Sequence, residues 1–400
     1  MSKYKKSRKQ ASENEMFENR NTGNKINKNK LIIISTLLVI FIAGIYMYNF
    51  NYTTRGMINK GINKIQGKTL NSKFETKIKS GNLSTDYSVE EALSDIEKFE
   101  LNTINIPVVI NIDSLTSSDM SIYDNSLERA KMLLDELKGR DINIILEAYP
   151  WINNGSEVET ELDPEDKEAF FNNWKNKVLK PIIDEIAIPY HIDAFNIATS
   201  LTNIEYMEDE FCDMIDYVRK YYKGLVTYRT SFWVTTNWNH ESTMEIQKKS
   251  KDEYEKKLNN KLFSKLDFIS IASYFELTDN NVNTVDNLVS AINSSQRYER
   301  GQAIKEEVEA FNDKWQKPIF FGELGFPKTE GASIEPWNPY RSDIINTKEQ
   351  ANGFEAYKIS YNDEPWFLGF SIFAIGNQEG DKMYYPGEEA TEIIKKWNKD

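Results

Sequence analysis

Among the 400 residues, the ones placed to do chemistry are carboxylates beside short apolar runs. Glu323 follows the run IFFG and has a glycine on either side, Gly322 and Gly325. A carboxylate at the end of a strand, with room for a ligand to approach the backbone, can serve as a nucleophile or as a general acid or base. Glu147 ends the run NIILE, Glu276 lies two residues after Tyr274, and Glu205 lies five residues after Ser200. A tyrosine hydroxyl such as that of Tyr274 can donate a hydrogen bond to a neighbouring carboxylate and hold it ionised and aimed. Asn237 and Trp238 in TTNWNHE, and Trp337 in IEPWNP, supply amide groups and flat apolar faces. These suit sugar hydroxyls and ring stacking better than phosphates. His191 and His240 are the only histidines and Cys212 the only cysteine, which argues against a histidine-rich metal centre and forbids an internal disulfide. No cofactor is expected.

The elements that must carry these residues alternate short β-rich runs with amphipathic helical stretches, the pattern of a parallel sheet with crossover helices. Strands are expected near 56–63 and over 103–112, 143–148, 192–198, 225–236, 266–273, 318–322 and 367–373. Helices are expected over 88–99, 126–138, 164–185, 209–222 and 302–315, where apolar residues recur at spacings of three and four. Eight strands alternating with helices fit a closed (β/α)8 TIM barrel. An open doubly wound sheet fits less well, because no glycine-rich phosphate loop follows an early strand. In such a barrel the chemistry sits where the strands end at their C-terminal face. That rim would hold Glu147 after the third strand, Ser200 after the fourth, Asn237 and Trp238 after the fifth, Tyr274 after the sixth, Glu323 after the seventh and Phe373 after the eighth.

Ahead of the barrel the composition changes. Residues 1–30 carry a net charge of +6 although the whole chain carries −13. No charged residue lies between Lys30 and Arg55, and Leu31 to Tyr48 reads LIIISTLLVIFIAGIYMY, nearly enough to span a hydrocarbon layer. The reading is a disordered basic tail (1–30), a transmembrane helix (31–50) and an extracytoplasmic barrel (51–400). The basic flank places the N-terminus in the cytoplasm and the C-terminal domain outside the cell. No small-residue cleavage motif follows the helix, so it is read as a retained anchor in the cell membrane. The acidic body and the lack of a basic stripe exclude nucleic acid as a partner. A polysaccharide or oligosaccharide fits the rim, and the membrane is engaged through the one helix.

The C-terminal half carries a family resemblance. The segments LVTYRTSFWVTTNWNHE, LDFISIASYFEL, KPIFFGELGFPKTEGASIEPWNPY and QANGFEAY occur in order. With them, most of residues 56–376 resembles glycoside hydrolase family 113, the retaining β-mannanase-like enzymes of clan A. The resemblance implies that Glu323 is the nucleophile, that Tyr274 stands next to it, and that Asn237 and Trp238 line the sugar cleft. It also implies a departure. Where the family ends its fourth strand in Gly-Thr-Glu-Leu, with the glutamate as acid/base, this chain has IATSL at 197–201, so Ser200 occupies the acid/base position. Retaining hydrolysis needs a second carboxyl about 5 Å from the first, and a serine hydroxyl cannot cycle as donor and base near neutrality. The endings LEAYPWI and FSIFAIGN of the third and eighth strands also differ from the family pattern, so β-mannan is not implied as substrate.

Three explanations stay open. Glu147, Glu205 or Glu276 takes over as the acid; the substrate supplies its own acid or a good leaving group; or the site binds glycan without cleaving it. The expectation is a membrane-anchored glycosidase-like protein acting on a cell-surface or envelope polysaccharide by a retaining mechanism. The alternative is a catalytically inactive glycan-binding or envelope-assembly protein on the same barrel.

Overall fold

The computed structural model describes residues 70, 74, 76–238 and 241–399. The chain divides into two compact units, Met1–Asn59 and Lys60–Asp400, and every described residue belongs to the second. The basic tail, the transmembrane helix and the strand expected near 56–63 lie outside the described residues. Among the described residues, no helix is long and apolar enough to cross a membrane.

Eight parallel strands form the barrel: β1 (Ile78–Leu83), β2 (Thr103–Ile112), β3 (Asn143–Ile152), β4 (Ala194–Thr199), β5 (Leu225–Ser231), β6 (Ile269–Ala272), β7 (Ile319–Leu324) and β8 (Phe367–Ile375). Each pairs with the next, and β1 pairs with both β2 and β8, which closes the sheet. Ser121–Ile122 adds a two-residue antiparallel strand to the far end of β2. The fold is thus the expected (β/α)8 barrel, but its first place is taken by Ile78–Leu83 and not by a strand near 56–63. The sequence IKSGNL hides this strand because its interior positions, Ser80 and Asn82, are polar although buried.

The strands read as nearly unbroken apolar runs because helices cover their outer faces and side chains fill the interior. The helices start where the sequence provides caps. Ser88 accepts a hydrogen bond from the Glu91 N–H at the start of Val89–Lys98, Thr284 does the same for Val285–Asn293, and Asn346 for Thr347–Tyr361. The helix expected over 164–185 is helical from Lys167 to Ala187 but passes through two π stretches, Trp174–Leu179 and Ile183–Ala187.

Inside the barrel, the strand starts contribute one apolar cluster, Ile78, Ile145, Ala194, Leu225, Phe320 and Leu368, joined by Phe268 and covered by Leu70 and Phe74. It plugs the N-terminal end. Because side chains alternate along a strand, the same interior rows then carry polar groups towards the C-terminal end. The row Ile145, Glu147, Tyr149, Trp151 on β3 and the row Leu225, Thr227, Arg229 on β5 both run from the plug to the mouth. β7 breaks the alternation. Ser270 pairs with Phe320 but Ala272 pairs with Glu323, so three steps on β7 face two on β6. This bulge brings Glu323 onto the same interior face as Phe320, which simple alternation would forbid.

Candidate active site

Arg229 lies buried at the floor of the barrel mouth. Its two terminal nitrogens donate to the two oxygens of Glu147 at 2.6 Å each, its Nε donates to Thr199 Oγ1 at 2.7 Å, and its Nη2 also meets Glu323 Oε1 at 2.6 Å. Its own backbone N–H donates to Asn196 Oδ1, and its carbonyl accepts from the Ser200 N–H. The guanidinium crosses in front of Gly322: a Cβ there would come within 2.9 Å of Arg229 Cδ and 2.0 Å of Ser270 Oγ, so only glycine lets the arginine lie across β7. The Gly322 carbonyl accepts from Asn82 Nδ2 at 2.6 Å, and Asn82 Oδ1 in turn accepts from Asn105. The polar residues of β1 and β2 thereby hold β7 in place beneath Glu323.

Glu323 takes a hydrogen bond from the Tyr274 hydroxyl besides its contact with Arg229. Burial is the largest influence on its carboxyl and lifts its pKa from an ordinary 4.5 to about 7. Arg229 and Tyr274 pull the other way, while the negative charges of Glu147 and Glu159 add to the rise. Burial also opposes the charge on Arg229, but Glu147 and Glu323 outweigh it and keep the arginine protonated. One guanidinium therefore serves two carboxylates with a third nearby, and a proton is retained in the cluster near neutrality.

A cleft of about 190 Å³ opens above this floor. Glu147, Tyr149, Trp151, Arg229 and Glu323 line one part, and Asn82, Asn105, Phe373, Asp86 and Asp381 are among the residues that line another. Asp381 lies near β8, where burial first and then Asp86 raise its carboxyl to about 7. Tyr274 packs edge-on against Phe373 at 5.9 Å, which fixes the ring that serves Glu323.

The structure thus brings Glu323, Glu147 and Tyr274 together and places the other expected residues elsewhere. Glu147 lies within β3, not after it, because the strand continues to Ile152; Phe373 likewise lies within β8. Ser200 is buried just beyond β4 with a left-handed φ of 52°. Glu205 is buried and engaged by Lys257 and by the Thr230 hydroxyl at 2.6 Å. Glu276 accepts from Arg300 at 2.9 Å and from the Trp337 indole at 3.3 Å. β5 ends at Ser231, earlier than expected, so Asn237 and Trp238 belong to the following loop, where they donate to the carbonyls of Gly301 and Tyr298. None of Ser200, Glu205, Glu276, Trp337, Asn237 and Trp238 lines the cleft around Glu323.

Arg229, Tyr149, Trp151, Glu159, Asp86 and Asp381 were not expected. Three of these carried a signal. An arginine inside the apolar run LVTYRTS must be paired if the strand is buried, and Glu147, Tyr149 and Trp151 follow one another at the two-residue spacing of a strand face. Among the described residues, no group of histidine, cysteine, aspartate and glutamate could hold a metal ion.

Comparison with known proteins agrees with this architecture. The family model of glycoside hydrolase family 113 matches residues 73–392. A β-1,4-mannanase of that family, solved as a complex, superposes with a TM-score of 0.59 at 19% identity, covering 81% of this chain and 99% of its own. The family 113 β-mannanase of Alicyclobacillus acidocaldarius, solved with ManMIm, gives 0.59 at 18% identity, covering 81% of this chain and 97% of its own. The β-D-glucuronidase of Dictyoglomus thermophilum gives 0.51 at 13% identity, covering 81% of this chain and 51% of its own. At these identities the structures establish the shared barrel. No curated protein matches the chain. The match across four-fifths of the sequence makes the protein a glycosidase-like member of glycoside hydrolase family 113.

Proposed function

We propose that the protein is a retaining glycosidase that acts on a cell-surface or envelope polysaccharide, with Glu323 as the nucleophile. The observation that carries this reading is the placement of the Glu323 carboxyl at the end of β7 in an open cleft, aimed by Arg229 and Tyr274. A nucleophile must be ionised when it attacks, and both partners favour its charge. Glu147 is then a positioning residue: both of its oxygens are taken by Arg229, which it holds in place beneath Glu323. The two mannanase relatives put β-linked hexose chains first among the substrates to try. The uncharged stretch Leu31–Tyr48, preceded by the basic tail, supports a single membrane anchor with the barrel outside the cell.

The reading is tested by incubating the protein with dinitrophenyl fluoroglycosides of several β-hexoses and weighing the products. Their leaving group needs no acid, so a retaining enzyme accumulates a glycosyl ester on Glu323. Absence of an adduct across the panel, together with absence of hydrolysis, would sink the reading. It would favour the glycan-binding alternative, which rests on Ser200 standing where the family carries its acid.

A further inference from the structure

Seven of the eight tryptophans donate their indole N–H to a carbonyl, carboxylate or amide oxygen of the chain. Trp151 is the exception. It lines the cleft beside Glu323 and is half-buried, yet its Nε1 has no hydrogen-bond partner among the described residues. Tyr149, two residues earlier on the same interior row of β3, also lines the cleft, and its hydroxyl likewise has no such partner among the described residues. An indole or phenol that is mostly out of water normally finds an acceptor for its polar hydrogen, so two neighbouring rings without one are ready to receive a ligand's oxygens.

The strand and the turn after it set these rings as a wall. β3 pairs with β4 only as far as Glu147, opposite Asn196, but it continues to Ile152, so Tyr149 and Trp151 stand beyond the shared ladder. The two rings lie 6.4 Å apart with a tilt of 45°. Behind them Asn153, Asn154 and Gly155 turn the chain with left-handed φ values of 48°, 53° and 78°, a region that asparagine and glycine adopt readily. A Cβ on Gly155 would meet Cζ2, Cη2 and Cε2 of Trp151 at 2.2, 2.7 and 2.5 Å in some order of closeness, all under 3.0 Å. Nearly equal distances to three successive ring atoms place the glycine over one face of the indole. The turn thus backs that face, and the ring meets the cleft with what remains.

The charges of the cleft limit what such a wall can take. Asp86, Glu147, Glu323 and Asp381 line it, and Arg229 is the only cation among the lining residues. That arginine already faces Glu147 and Glu323. A sugar bearing a carboxylate would add a further negative charge with no free cation to meet it, and such like-charge contacts are strongly disfavoured.

We infer that Trp151, together with Tyr149, is the sugar-stacking platform of the cleft, built for an uncharged hexopyranose unit of a β-linked chain and closed to uronic acids. The inference deepens the glycosidase reading of this cleft and rests on it for the class of ligand. The open face of the indole packs on the C–H face of the sugar, while the Trp151 N–H and the Tyr149 hydroxyl donate to sugar oxygens. Trp151 is thereby a specificity-determining residue that the family resemblance does not supply, since LEAYPWI is where the third strand departs from the family pattern.

The test uses the full chain carrying Glu323→Gln, so that a bound glycan is not turned over, and measures affinity by titration calorimetry. The ligands are β-linked tetrasaccharides of glucose, mannose, galactose and N-acetylglucosamine, with β-linked tetramannuronate as the charged probe. At least one neutral chain should bind, and adding Trp151→Ala should weaken the best of them ~10- to 100-fold. Trp151→Phe keeps a stacking ring but loses the N–H, and should weaken it by only ~3- to 10-fold. Tetramannuronate should bind at least ~10-fold more weakly than the best neutral chain, with a gap that narrows in high salt. Because Trp151 is the only tryptophan lining the cleft, the neutral chain should change the tryptophan fluorescence of the parent and not that of Trp151→Phe. A merely structural role of the ring would not produce that signature, and it stands even where the alanine variant does not fold. Unchanged affinity in Trp151→Ala, a fluorescence change that persists in Trp151→Phe, or tetramannuronate bound as tightly as the best neutral chain would overturn the inference even when fluoroglycosides label Glu323. Binding that depends on Trp151 without any labelling of Glu323 would uphold the platform and overturn the glycosidase reading. No binding of any neutral chain would overturn the platform by itself.

Discussion

Around Arg229 one buried guanidinium faces two carboxylates directly, the buried Glu147 and Glu323, which lines the cleft. Around Glu276, on the loop after β6, the count is different. Arg300 and Arg297 face Glu276, Arg297 also faces Asp279 and Glu335, and Arg341 approaches Glu335 at 3.8 Å. Here each carboxylate has a cation of its own, and Arg297 overcomes burial to hold Asp279 below its usual range. The residue types are the same in both clusters. The difference is that the first is short of positive charge at a largely buried position, so a carboxyl near neutrality results. The second is a matched network that ties a loop to the barrel.

The largest expected effect comes from Glu323→Gln, which should lower glycosidase kcat by ~10⁴-fold or more, measured on any substrate the protein turns over. The same change should stabilise the fold. The folded pKa of about 7 lies above the ordinary 4.5, so the contribution of Glu323 is fully present below 4.5 and is lost as pH rises through 7. At about pH 8 the variant should gain up to ~3 kcal/mol over the parent, and the gain should vanish near pH 4. Urea unfolding at the two pH values checks this, and a variant less stable at the higher pH would contradict the charge imbalance.

Next, Arg229→Met leaves Glu147 buried without its partner and should cost ~3–5 kcal/mol. Arg300→Met should cost less, about 1–3 kcal/mol, because Arg297 still stands near Glu276. Equal losses would erase the distinction between the clusters. Tyr274→Phe removes one hydrogen bond to the charged form of Glu323 and should reduce kcat by ~10- to 100-fold. Because that bond lowers the Glu323 pKa, the acidic limb of the pH profile should also move upward. That limb reports the Glu323 carboxyl and should lie near pH 7 in the parent. The smallest effect is expected for Glu276→Gln, with kcat within ~10-fold of the parent and a modest loss of stability. A collapse of activity there would move chemistry to the second cluster.

Several parts of this arrangement could be read along the chain. The run IFFGELGF marks Glu323 because a charged residue among apolar neighbours at a strand end is costly unless it has work to do. The alternation of apolar runs and amphipathic stretches is enough to propose a barrel, and the caps Ser88, Thr284 and Asn346 sit where their helices begin. The fate of Asn237 and Trp238 could not be read in this way. TTNWNHE looks like a strand ending, but β5 stops at Ser231, and the backbone carbonyls of Tyr298 and Gly301 claim the two side chains. Glu159 was equally hidden: in SEVETELDP the glutamates at 157, 159 and 161 alternate with Val158, Thr160 and Leu162, a pattern that does not distinguish one glutamate from the next.

By itself the sequence determined the alternating architecture, the uncharged stretch ahead of it, and Glu323 as the residue to watch, since these depend on period, hydrophobicity and local cost along a single segment. Which charges share one guanidinium was decided only by the closed barrel. Residues 147, 229 and 323 are far apart in the chain, and the bulge on β7 turns Glu323 inward against the strand's own alternation. A carboxyl's proton affinity is set by burial and by the charges within a few ångströms of it, and both are properties of the folded neighbourhood.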